Sequence, residues 1–213
     1  MTVPVMLNVQ NRSVVCVGGG EVAVRKVRSF VKEGAHMTVV SPSLHEQLRP
    51  YADNGQIVWK KKKFQPIDLA DAWFVLACTN DRALNEQVAI IANKNKQLCY
   101  VADDPQSSDV TFPVVKHKGA ITVALSTGGA SPTLARTLLE EIVSHMPDDM
   151  DEILVFLAEA RVKVKQRIAD ESVRRELLKK LATSAVYHQS DRYVWLEEQI
   201  KTYTDTFGGN DKQ

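Results

Sequence analysis

The sequence predicts an α/β fold in three parts. A Rossmann-type parallel sheet covers residues 1–113, a β-hairpin and helix 114–147, and a small all-helical C-terminal domain 148–213. Three observations predict it. The apolar run Val14-Val15-Cys16-Val17 opens directly into Gly18-Gly19-Gly20 and then into helical periodicity. From there to Ala102, short apolar runs alternate with helical patterns, the signature of repeated βαβ units. After Asp109 come two β-rich runs, and from Asp148 onward only helical periodicity remains.

The first strand, turn and helix carry Gly18-x-Gly20-x-x-Ala23, the dinucleotide-binding fingerprint in its Ala-ended form. Gly18 suits the sharp turn, Gly20 lets the backbone approach a pyrophosphate, and Ala23 lets the helix pack close to the strand. The helix start offers unpaired N–H groups and a partial positive charge to phosphates. Residues 21–33 read as that helix, with Val24, Val27, Phe30 and Val31 at helical spacing and Gly34 just past the end. Residues 36–40 are a second strand, so the unit is parallel with a right-handed crossover. Many NAD sites place an acidic residue at the end of this strand. Here Ser41, Pro42 and Ser43 stand there, with no Arg to attract a 2′-phosphate. The expectation is NAD, with the ribose left to hydroxyls and backbone.

Residues 44–54 read as helical and 57–59 as a short strand, followed by Lys60-Lys61-Lys62-Lys63. Four lysines invite a nucleic-acid reading, but so short a run reads better as a charged, aggregation-resistant edge. Residues 66–69 are a loop or single turn, and 73–78 a third apolar strand ending at Thr79-Asn80-Asp81. Loops after the strands' carboxyl ends line the crevice of such a sheet, so Thr79 and Asn80 are candidate cofactor contacts; their bland role is to cap the next helix. Residues 82–95 form that helix, with Leu84, Val88, Ile91 and Ala92 assigned to one face. A fourth strand over 98–102 runs into Asp103-Asp104-Pro105. These adjacent carboxylates are the best acid/base candidates, each raising the other's pKa, although the tripeptide is also good turn chemistry.

Residues 110–115 and 120–125 read as a hairpin joined by Lys116-His117-Lys118-Gly119. Ser126-Thr127-Gly128-Gly129-Ala130-Ser131-Pro132 follows, an N-cap preceded by small hydroxyl residues and two glycines, and hence a second anion-seeking feature. Leu134, Leu138, Leu139 and Ile142 continue an amphipathic helix. Farther on, Ile153, Leu154, Leu157 and Ala158 read as an apolar stripe, with Val194 and Leu196 on a last helix. Arg161, Lys163, Lys165, Arg167, Arg174, Arg175, Lys179 and Lys180 form either a solvated face or a basic wall for a polyanion.

Composition sets outer limits. The 213 residues suffice for one large domain or two small ones, and a net charge of +1 gives no sign of nucleic-acid or membrane binding. No apolar run approaches the ~18 residues of a membrane span, and the N-terminus does not read as a signal peptide. Cys16, Cys78 and Cys99 lie singly in apolar runs, so buried reduced thiols in a cytoplasmic protein are expected and no metal site is.

Together these segments resemble the precorrin-2 dehydrogenase family, which includes the N-terminal module of siroheme synthase. The resemblance covers nearly the whole chain. It rests on Val17-Gly18-Gly19-Gly20-Glu21-Val22-Ala23 with Arg25-Lys26, Ala77-Cys78-Thr79-Asn80, Val101-Ala102-Asp103-Asp104-Pro105, Phe112-Pro113, and the loop from Ser126 to Pro132 with Ala135-Arg136. It implies NAD-dependent oxidation of precorrin-2 to sirohydrochlorin in siroheme synthesis, and a homodimer with the β-hairpin/helix stretch 114–147 as its dimerisation segment. The family's essential aspartate lies in an Asn-Val-x-Asp-x-Pro motif; here Tyr100 replaces the Asn, Asp103 is the matching acid, and Asp104 takes the variable place. The family's cofactor contacts fall on Glu21, Val22, Pro42 and Ser43, beside Gly18, Gly20 and Thr79, and its tetrapyrrole-side loop on Ser126, Thr127 and Gly128. Some members also insert iron into sirohydrochlorin, so a dehydrogenase that is also a ferrochelatase is the first alternative. An NAD-responsive regulatory module and a DNA-binding redox repressor are more remote ones.

Overall fold

The computed structural model describes residues 2–102 and 104–207, the side chains of 205–207 aside. Contacts divide the chain into two compact units, 1–112 and 113–213.

The first unit is a five-stranded, all-parallel sheet in the order β3-β2-β1-β4-β5. Its strands are β1 (Ser13–Val17), β2 (His36–Val40), β3 (Ile57–Lys60), β4 (Phe74–Ala77) and β5 (Leu98–Val101). The alternation of side chains along a strand separates two cores. Val14, Cys16, Met37, Val39, Phe74 and Leu76 pack on one face against Ala23, Val24, Val27 and Phe30 of α1 (Glu21–Lys32). Val15, Val17, Val40, Val75, Ala77, Cys99 and Val101 pack on the other against Val88, Ala89 and Ala92 of α3 (Arg82–Lys94). Each such Val or Phe contributes about 1.5–3 kcal/mol when fully buried, which is why helices cover both faces.

Several elements differ in detail from expectation. The stretch 44–54 is two short turns, a 3₁₀ turn at Glu46–Leu48 and α2 (Arg49–Asp53), because Pro50 in the first turn of α2 starts a fresh helix rather than continuing one. The buried face of α3 is Asn85, Val88, Ala89 and Ala92, with Leu84 and Ile91 only half-buried beside it. The Lys60–Lys63 run has a structural purpose: Lys62 Nζ lies 2.8 Å and Lys60 Nζ 3.7 Å from the buried carboxylate of Asp68. That carboxylate also accepts the Gln65 amide at 2.9 Å. Burial pushes the Asp68 carboxyl up, but the bonds from Lys62 and Gln65 and the Lys60 charge outweigh it, and the net shift is down.

The second unit opens with an antiparallel hairpin, β6 (Val114–Lys118) and β7 (Ile121–Leu125), packed on α4 (Pro132–Ser144). The strands are later and the turn tighter than expected. Phe112 is drawn into an aromatic cluster, Pro113 has no N–H for a ladder, and the chain reverses at Gly119 (φ +55°) and Ala120. The Asp151 carboxylate accepts the Ala120 amide at 2.8 Å, tying this turn to α5 (Met150–Arg167). α6 (Glu171–Leu181), α7 (Ser184–Tyr187) and α8 (Arg192–Phe207) complete a bundle around Phe156, Ala160, Val164, Leu177, Leu181, Leu196 and Ile200. The expected α5 stripe is therefore rotated: Ile153, Phe156, Ala160 and Val164 are inside and Ala158 is exposed, as is Val194 on α8. Several basic residues of the bundle are paired, Lys163 and Arg167 with Glu197, Arg175 with Glu171, and Lys180 with Glu176. A solvated, salt-bridged surface thus accounts for half of that basic stretch.

Candidate functional site

The strand order reverses between β1 and β4, and a crevice opens at the carboxyl ends of such strands. The glycine loop stands at this point. Gly18 has φ +111°, and a Cβ on it would run into the Cys78 carbonyl and come within 3.0 Å of the Thr79 amide nitrogen. A Cβ on Gly19 would sit 2.5 Å from both Ser41 Oγ and the Ser43 carbonyl. A Cβ on Gly20 would meet nothing within 4 Å. Gly18 and Gly19 are thus required by the protein itself, whereas Gly20 borders open space. Gly20 is also the N-cap of α1 and gives no side-chain hydrogen bond to the first turn, where Glu21 is exposed and Val22 half-buried.

The loop after β2 is fastened to this one. His45 N donates to the Gly19 carbonyl at 2.8 Å, and Trp59 Nε1 donates to the Ser41 carbonyl and hydroxyl at 3.1 and 3.2 Å. Ser41 is buried, leaving Pro42 and Ser43 exposed beside the glycines. On the other side a cavity of about 420 Å³ is lined by Val22, Thr79, Asn80, Arg82, Asn85, Glu86, Val101, Ala102 and Asp104. Glycine loop, β2 loop and β4 loop therefore converge, which puts Gly18, Gly20, Glu21, Val22, Pro42, Ser43 and Thr79 on three neighbouring loops, with Val22 and Thr79 lining the cavity. The helix cap is Asp81, which accepts the Leu84 amide at 3.1 Å, and not Thr79. The Thr79 hydroxyl is instead engaged by Asn85 Oδ1 at 2.7 Å and by the Asp81 amide at 3.1 Å.

Asp103 lies outside the described residues. Its neighbour Asp104 corrects one expectation: its carboxyl is not raised but held below the usual range, by the Ser107 hydroxyl and amide, then the Gln106 amide and the Arg82 charge, against a small opposing effect of burial. The segment then doubles back along β5. Ser108 Oγ accepts the Val101 amide at 2.9 Å and Asp109 Oδ2 the Cys99 amide at 3.0 Å, so side chains take the edge amides a further strand would take. At the end of this segment Phe112 packs edge-on to Tyr100, and Lys26 Nζ lies 3.5 Å from the Phe112 ring centre and 4.6 Å from that of Tyr100. Burial, with the Arg25 charge helping and Cys78 opposing, lowers the Lys26 ammonium to about 8. Sequence reading missed Arg82, Asn85 and Glu86 as site neighbours. The available signal was a polar Asn85 among the apolar positions of the buried face of α3.

In the second unit, the Ser126–Pro132 loop is closed by its own hydroxyls. Ser126 Oγ accepts the Gly128 amide, Thr127 Oγ1 the Ser131 amide, and Ser131 Oγ the Leu134 amide, all at 3.1–3.2 Å. Gly128 and Gly129 have φ +64° and +88° and border open space. Two of the buried cysteines are held as thiols: contact with Cys78 and burial drive Cys16 up, and burial and Asp109 push Cys99 up to about 12. Among the described residues, no group of three or more His, Cys, Asp or Glu is placed to hold a metal ion, and no helix is long and apolar enough to cross a membrane.

Comparison with known proteins bears on this geometry. Residues 5–114 match the family model described as "Putative NAD(P)-binding". The solved structure of SirC, a precorrin-2 dehydrogenase, superposes with a TM-score of 0.78 at 31% identity, over 95% of this chain and 100% of that one. The chain belongs to the precorrin-2 dehydrogenase and siroheme synthase N-terminal module family. The siroheme synthase of Nitrosococcus oceani is 37% identical over 183 residues, 86% of this chain and 39% of that protein. Siroheme synthase 1 of Aeromonas salmonicida is 36% identical over 181 residues, 85% of this chain and 39% of that protein. The chain thus spans about two fifths of the length of these relatives.

Proposed function

We propose that this chain catalyses the NAD-dependent dehydrogenation of precorrin-2 to sirohydrochlorin. The observation that carries the reading is the glycine loop at the β1/β4 reversal, open only at Gly20, in a chain that matches a precorrin-2 dehydrogenase along that protein's whole length. The residues fit NAD. The uncapped start of α1 offers amides to the pyrophosphate, exposed Ser43 and Pro42 lie where the adenosine ribose is expected, and the cavity beside Thr79 is left for the nicotinamide end. When bound, NAD accepts a hydride; the protein's share is orientation, electrostatics and removal of one proton.

In this reading Asp103 accepts that proton. Asp104, held ionised by Ser107, turns the chain and does not compete for it. The Ser126, Thr127 and Gly128 loop takes a carboxylate of the substrate: each hydroxyl oxygen already accepts a backbone amide, which leaves its O–H free to donate to an anion. The protein works as a homodimer through α4, whose Leu134, Leu138 and Ile142 form one exposed apolar stripe. It acts in the cytoplasm, in keeping with three free buried cysteines. The test of the base is Asp103→Asn. NADH formation from precorrin-2 is expected to fall by at least a hundredfold, a typical general-base contribution, with NAD affinity unchanged. Full turnover in a folded, NAD-binding variant refutes the assignment.

A further inference from the structure

We propose that Asn85 is a positioning residue: through Thr79 it fixes the β4 wall of the crevice against the glycine loop and so sets the affinity for the dinucleotide. The inference rests on the reading of the crevice as an NAD site. Asn85 is a buried polar residue on a face otherwise made of Val88, Ala89 and Ala92. Its side chain spends its hydrogen bonds on one residue. Oδ1 accepts the Thr79 amide at 3.1 Å and the Thr79 hydroxyl at 2.7 Å, and Nδ2 donates to the Thr79 carbonyl at 3.0 Å.

The reason lies in the ladder. β4 ends at Ala77, and the last sheet bonds are those of Cys78 N to Val17 O and Ala102 N to Ala77 O. Beyond them the Thr79 peptide groups have no neighbouring strand. The Asn85 amide supplies one donor and one acceptor, as a strand would, and carries the line of β4 further into the crevice. Gly18 depends on that placement, because its α-carbon packs on the Cys78 carbonyl and the Thr79 amide so closely that no Cβ fits. A displaced Thr79 therefore displaces the glycine loop. A Leu at position 85 would fill the space, but none of these bonds would form.

The experiment compares wild type, Asn85→Asp, Asn85→Ala and Thr79→Val by direct NAD titration in a calorimeter, alongside thermal unfolding and the KM values for both substrates. Asn85→Asp keeps the acceptor oxygen and loses the donor to the Thr79 carbonyl; Asn85→Ala loses all three bonds. NAD dissociation constants are expected to rise on the order of tenfold and a hundredfold respectively, the range for one and for three lost buried hydrogen bonds of modest net strength. Thr79→Val keeps both peptide bonds to Asn85 and loses only the hydroxyl bond, and is expected to raise them by less than Asn85→Ala does. The KM for precorrin-2 should stay within twofold in every variant. A merely structural role lowers the folded fraction, and kcat with it, but leaves the NAD dissociation constant of the folded fraction where it was. That outcome in either Asn85 variant overturns the proposal while leaving the NAD site standing. A wild-type chain that binds no NAD overturns both.

Discussion

The glycine loop supports a prediction in which two neighbouring glycines behave oppositely. Gly18→Ala places a Cβ at φ +111°, a conformation that costs an L-residue about 1–3 kcal/mol. That Cβ also meets the Cys78 carbonyl and the Thr79 amide, both backbone of the sheet wall, and overpacking of this kind adds roughly 1–3 kcal/mol. The sum, about 2–6 kcal/mol, is a large share of the ~5–15 kcal/mol that holds a domain folded. At about 4 °C per kcal/mol, the first unit should unfold roughly 8 °C or more below wild type. Gly20→Ala has an ordinary φ of −87° and open space around its Cβ. Its folding cost is that of Ala in place of Gly at an N-cap, about 1 kcal/mol or less. The methyl group instead occupies the space through which a pyrophosphate approaches the α1 amides. Thermal unfolding and NAD titration on both variants separate the cases. Gly18→Ala loses stability first, and Gly20→Ala stays folded and loses NAD affinity by tenfold or more. A Gly18→Ala protein as stable as wild type, or a Gly20→Ala protein that binds NAD normally, refutes the reasoning.

Three further outcomes are expected. Asp68→Ala removes the partner of Lys62 and the acceptor of the Gln65 amide, so it should cost about 1.5–3 kcal/mol in urea unfolding at neutral pH. Because the folded carboxyl is depressed, that contribution is present above the unfolded Asp value of about 3.9 and fades as pH falls below it, so the two proteins should converge in acid. Lys26 is the opposite case: its folded value of about 8 lies below the unfolded value of about 10.4, so the unfolded chain binds the extra proton between them. Wild-type stability should therefore gain a rising contribution over that window which Lys26→Met lacks; parallel profiles contradict it. If α4 is the proposed dimer interface, wild type should have twice the mass of Leu138→Glu in light scattering, with NAD affinity kept, and equal masses contradict that interface.

Much of this was legible in the sequence because a buried parallel strand leaves a short apolar run and a glycine turn leaves glycines. Val14 to Ala23 specified strand, turn and helix almost to the residue. What was not legible depended on long-range partners. The Lys60–Lys63 run looks like surface charge until Asp68 is found beneath it. The first hairpin strand starts later than the pattern predicts because β-propensity at Val110 and Thr111 says nothing about Phe112 leaving for the ring cluster of Tyr100, Phe30 and Phe74. The stripe of α5 was rotated because Phe156 and Val164 are chosen by α6 and α8, whose positions no local period reveals. Asn85 leaves no local sign of its role for the same reason, since its partner Thr79 belongs to the loop before the helix and not to the helix pattern.

The decisive experiment for the proposed dehydrogenation mixes the purified chain with NAD and precorrin-2 and follows absorbance. NADH and sirohydrochlorin are expected to appear together in equal amounts, with no turnover when NAD is omitted. NAD binding with precorrin-2 left unchanged would contradict it, and would make the crevice that of a nucleotide-responsive binding module.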